Sequence, residues 1–103
     1  MKMYKVNLGS TLNVAFTPQQ YIDDAWQNIT PDSYQAYLEN SQLEKVFDLP
    51  ISELDGKYYV SVDTNNGNLQ QMEIYYITFK WEKDENTIVQ RVKIFLVPEG
   101  GVI

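Results

Sequence analysis

The spacing of apolar residues changes character twice along the chain. Met3 to Leu8 and Leu12 to Phe16 are short runs of strand-forming residues, and Gly9-Ser10 between them reads as a turn. Beyond them the spacing becomes helical. Thr17-Pro18-Gln19-Gln20 has the form of a helix start, with Thr17 as N-cap, Pro18 at the first helical position and a glutamine at the third. Ile22, Ala25, Trp26 and Ile29 then share one helical stripe, while Gln20, Asp23, Asp24 and Gln27 share the other face. Thr30-Pro31 repeats the signal, predicting a second helix with Tyr34, Tyr37 and Leu38 inward and Asp32 and Glu39 outward. Ser41-Gln42-Leu43-Glu44 is a capping box for a third, short helix that carries Leu43, Val46 and Phe47 inward and ends at Pro50.

From Asp55-Gly56 the period falls to two. Tyr58, Val60 and Val62 alternate with Tyr59, Ser61 and Asp63, as in a half-buried strand. Thr64 to Asn68, with its Asn66-Gly67 pair, reads as a hairpin loop. A long strand from Leu69 to Glu82, a four-residue turn at Lys83 to Asn86 and a strand from Thr87 to Val97 complete the pattern, closed by Pro98 and Gly100-Gly101. The expected fold is a single α+β domain over residues 1–103. It has an antiparallel meander of three main strands, two to three short helices packed on one face, and the N-terminal strands as candidates for an edge. Ile74 to Ile77 and Ile94 to Val97 are apolar at both parities, so a second cover is needed: the N-terminal strands, a second copy in a homodimer, or a partner protein.

Composition narrows the chemistry. With 44% hydrophobic residues in 103, one modest core is possible and a deep cavity as well is not. No cysteine means no disulfide framework and no thiolate chemistry, and no histidine removes the commonest general base and metal ligand. No apolar run reaches signal-peptide or membrane-span length, so the expectation is a cytoplasmic protein with no membrane contact. The acidic balance argues against direct nucleic-acid binding, whose phosphates it would repel.

Charge is distributed unevenly. Thr17 to Gly56 holds eight carboxylates (Asp23, Asp24, Asp32, Glu39, Glu44, Asp48, Glu53 and Asp55) against Lys45 alone, while the whole chain carries −6. The remaining segments nearly balance, so the excess lies in this stretch, where it would steer a basic partner. Asp63 to Glu73 imitates a calcium loop, but Gly67 and Glu73 are out of the required register and the flanks are strand-like. A pair of carboxylates could do acid–base work without histidine, yet the predicted helices place them on solvated faces. No phosphate-binding loop, serine nucleophile motif or dinucleotide fingerprint occurs.

These observations predict a non-enzymatic protein-binding module with no cofactor and no metal. Its partner-binding residues are Asp23, Asp24, Asp32, Glu39, Glu44, Asp48, Glu53 and Asp55, with an outward tyrosine, Tyr59, as anchoring area. In overall composition the chain resembles the small acidic, tyrosine-rich inhibitors carried by phages and mobile elements, including nucleic-acid mimics and anti-CRISPR proteins. That resemblance implies a basic, nucleic-acid-handling protein as partner. The rival expectation is a structural module of a virion or complex that self-associates through its two-faced apolar sheet, with Ile94 and Phe95 as its test positions.

Overall fold

The period-two pattern governs the chain far upstream of Tyr58. The computed structural model describes residues 3–66 and 68–98, and among these it contains ten strands and no helix. They are β1 (Met3–Asn7), β2 (Thr11–Phe16), β3 (Gln19–Ile22), β4 (Ala25–Asn28), β5 (Ser33–Asn40), β6 (Lys45–Asp48), β7 (Ile51–Leu54), β8 (Lys57–Asp63), β9 (Ile74–Lys83) and β10 (Asn86–Val97). The α+β expectation is therefore corrected to an all-β fold. The first predicted helix is the β3–β4 hairpin, the second is β5, and the third is the turn from Ser41 to Glu44 followed by β6.

The reason lies in side-chain shape and in the turns. Tyr34, Ala36 and Leu38 alternate with Gln35, Tyr37 and Glu39, and the aromatics favour a pleated surface. Asp23 and Asp24 both take positive φ, 52° and 63°, as do Asp84 and Glu85 at 49° and 69°. Two successive positive values make the type I′ turn that matches strand twist, and a helix does not accept them. Asp55-Gly56, at 51° and 78°, is a third such turn, joining Leu54 to Lys57. Leu43, at φ 63°, breaks the expected third helix inside its first turn.

The strands form a five-stranded sheet in the order β1-β10-β9-β5-β6, a three-stranded sheet β2-β8-β7, and the separate two-stranded ribbon β3-β4. All neighbours are antiparallel except β1, which runs parallel to β10. Phe16, Tyr58, Val60 and Val62 of the smaller sheet join Ala36, Leu38, Ile77, Phe79, Trp81, Ile94 and Leu96 of the larger in one hydrophobic core. Phe79 lies centrally, its ring 5.1 Å from Phe16 and 5.5 Å from Tyr58.

Several expected boundaries change. The strand expected from Leu69 starts at Ile74, and the segment between β8 and β9 crosses from one sheet to the other instead of closing a hairpin. Thr64 fixes that crossing: its hydroxyl donates to the Ser10 carbonyl at 2.6 Å and accepts from the Gly9 amide at 2.8 Å. Gly67, Gly100 and Gly101, expected in turns, lie outside the described residues. The N-terminal strands do not cover the outer sheet face, because β1 pairs edge-on and β2 joins the other sheet. Ile74, Tyr76 and Phe95 are half-buried on that face among cross-strand neighbours such as Lys93.

Tyr58 gives this core a pH signature. Burial pushes its phenol above 10.0, and the charges of Glu53 and Tyr34 push in the same direction. A raised folded pKa means that the neutral phenol's contribution is complete below the unfolded pKa and is lost as pH rises through the folded one. Stability is expected to decline above about pH 10, and Tyr58→Phe to flatten that decline. Urea unfolding of both proteins from neutral to alkaline pH measures it. Parallel curves would count against the assignment.

Candidate protein-binding site

The acidic residues do not assemble into one face. Asp23 and Asp24 occupy the tip of the β3–β4 ribbon, and Asp55 the β7–β8 turn. Asp32 precedes β5, where its carboxylate accepts from the Asp84 amide at 3.1 Å and meets Lys83 at 3.5 Å. Glu44 accepts a hydrogen bond from the Asn40 side-chain amide at 3.1 Å within the β5–β6 turn, and Asp48 pairs with Lys45 at 2.8 Å. Glu53 lies on β7 opposite Tyr58, while Tyr59 faces outward from the smaller sheet. An acidic helical surface is thus replaced by charges spread over turns and edges.

Glu39 departs furthest from expectation. Its residue is only 5% exposed, on the outer side of the larger sheet. One carboxylate oxygen accepts from Arg91 Nε at 2.9 Å and from the Thr78 hydroxyl. Buried charge retains its place when a cation and hydrogen bonds offset the lost hydration, so Glu39 ties β5 to β9 and β10 within the sheet.

The ribbon has the opposite character. Trp26 is 66% exposed and Tyr21 60%, the two rings meeting edge-to-face across the strands with centroids 5.5 Å apart. Ile22, on the ribbon's other face opposite Ala25, is also exposed. The Ile29 amide donates to the Pro18 carbonyl at 3.1 Å and closes the ribbon's base, and Gln19 donates to Asn28 at 2.8 Å across it. The helical reading placed Ile22 and Trp26 inward. The signal that locates them is the pair Asp23-Asp24 set between two short β-prone segments.

Beneath the ribbon a cleft of about 360 Å³ is lined by Thr17, Gln19, Trp26, Trp81, Ile88 and Gln90. The Trp81 indole donates to the Gln90 side-chain oxygen at 3.2 Å, which orients that wall. Two other clefts each bring in one carboxylate, Glu82 beside Lys80 and Glu73 beside Gln70. Among the described residues no group of three acidic side chains is placed to hold a metal ion, and no helix is long and apolar enough to cross a membrane.

No protein-family model and no curated protein matches the sequence. A solved structure, a chimeric titin Z1Z2 functionalized with a KLER exogenous peptide from decorin, is similar over 94% of this chain and 88% of that chain. Its TM-score is 0.52 and its identity 11%. Such a likeness shows the fold alone, an immunoglobulin-like sandwich. The strand order agrees, with β2-β8-β7 facing β10-β9-β5-β6. So does Tyr75 near the start of β9, whose hydroxyl accepts from the Gln70 amide at 2.9 Å, as the corner tyrosine of such sandwiches does. Two residues further on, where antibody domains carry a disulfide cysteine, stands the buried Ile77.

Proposed function

We propose that this chain is a non-enzymatic binding domain that engages a basic protein partner through the β3–β4 ribbon. The observation that carries the reading is an exposed tryptophan and tyrosine on a ribbon with few contacts to the sandwich, tipped by two aspartates. Tryptophan and tyrosine dominate binding hot spots because they bury large rigid area, and carboxylates beside them favour a cationic rim and speed encounter. In this reading Asp23 and Asp24 supply the charge that faces the partner. Glu39 does not, because its charge is already engaged. The net charge of −6 suits a partner with a basic groove, as nucleic-acid-handling proteins have, and an inhibitor that occupies such a groove is the finer form of the proposal. The self-association rival rests on Phe95 alone of its two positions, because Ile94 is core.

The ribbon tip provides a clean test. Aspartate at both left-handed positions is less favourable than asparagine followed by glycine. Asp23→Asn with Asp24→Gly is therefore expected to raise stability by about 0.5–1 kcal/mol while removing two charges. Affinity capture with the wild type, this variant and Trp26→Ala, eluted along a salt gradient, reads the function. A partner held by the wild type and lost from both variants supports the proposal. Equal retention by all three would remove the ribbon from it.

A further inference from the structure

The geometry points to the open edge of β10 as the place where an extended, basic-ended segment of the partner adds as a further strand. This rests on the protein-binding reading above and specifies how the partner is held. Among the described residues, β1 pairs with β10 only from Lys93 to Val97, so Asn86–Val92 has a ladder neighbour on the β9 side alone.

The direction of each backbone group follows from alternation along the ladder. Leu96 exchanges bonds on the β9 side, its amide donating to Glu73 and its carbonyl accepting from Met72, whereas the Val97 carbonyl accepts from Leu8 on the β1 side. Even-numbered residues of β10 thus point their backbone groups toward β9 and odd-numbered ones away. Thr87, Val89 and Arg91 consequently present amides and carbonyls to the open edge. Such a row is a template for strand addition.

Two features select the occupant. Ile88 and Gln90 line the cleft with Trp26 and Trp81, so alternate side chains of an added strand reach an apolar recess. Val89, 40% exposed, lies on the opposite face. At the start of the edge stand Asp32, Glu82, Asp84 and Glu85 against Lys83, with Glu82 directly opposite Thr87. Farther along, Lys80 lies opposite Val89 and Arg91 is tied to Glu39. A segment with cations at the end beside the turn and apolar residues at alternate positions complements both.

The probe is a synthetic peptide of about seven residues, two lysines followed by alternating valine and threonine, matching the length of the open stretch. A peptide of the same composition with its valines adjacent is the control. Amide exchange and chemical shifts of β10 are followed by NMR during titration. Protection of the Thr87, Val89 and Arg91 amides by the alternating peptide is expected. Val89→Pro, which removes an outward donor at a site where an edge strand tolerates proline, should weaken binding by about tenfold. Should that variant not fold, Thr87→Pro removes the neighbouring outward donor. No protection in β10, equal binding of the control peptide, or undiminished binding by the proline variant overturns the inference. Binding lost in Trp26→Ala but kept in Val89→Pro would leave the ribbon reading standing and discard the edge.

Discussion

Phe79→Ala is expected to lower the unfolding free energy by about 3–5 kcal/mol, the cost of removing a large aromatic from a core that can only partly close over the gap. Phe79 is 0% exposed on β9, which pairs with both β10 and β5, and its ring lies between Phe16, Tyr58 and Tyr34 of three other strands. Removing it takes away a central contact between the two sheets. A domain of this size holds only about 5–15 kcal/mol in total, so the variant approaches the threshold of folding, with Tm falling by roughly 15–30 °C. Trp26→Ala removes a larger side chain and should cost about 0.5 kcal/mol, because water already reaches most of the indole. Urea unfolding followed by circular dichroism compares them directly. Comparable losses would mean that the sheets do not close over Phe79 or that the ribbon is integral to the core.

Arg91→Leu is expected to cost about 2–3 kcal/mol, somewhat less than breaking a fully buried pair because the arginine side chain itself keeps access to water. The loss arises from what remains: the Glu39 carboxylate, held in place by the sheet, with only the Thr78 hydroxyl to offset its desolvation. Replacing both partners, Glu39→Leu with Arg91→Leu, should recover most of the stability, since two apolar side chains leave no orphaned charge. A double-mutant cycle in urea measures the coupling. Additive losses would show that the pair acts as two separate surface charges. The same double variant should keep full partner binding, which separates this acid from Asp23 and Asp24.

The ribbon and the buried pair illustrate two fates of acidic residues. Asp23 and Asp24 sit where the backbone requires positive φ, a conformation that aspartate tolerates better than most residues. Their charge is therefore carried on a turn open to solvent. Glu39 sits on a strand between Tyr37 and Asn40, and its partners come from β9 and β10, distant in sequence. Local pattern locates the first kind and is blind to the second.

By itself the sequence determined β1, β2, β8 and β10, where alternation or strand-forming runs are bounded by glycine, proline or asparagine. It also determined the charge and the absence of cysteine and histidine. Only the tertiary structure decided between helix and strand from Gln19 to Asp48. Residues four apart within one segment share a face in both geometries, so Tyr34 with Leu38 satisfies either period. What separates the two is Ala36 between Tyr34 and Leu38, and it becomes decisive only when β9 lies alongside to accept the ladder. The same holds for the crossing between β8 and β9 and for the burial of Glu39. Each depends on which strands become neighbours, and strand pairing between distant segments is a property of the assembled sheets that no local window contains.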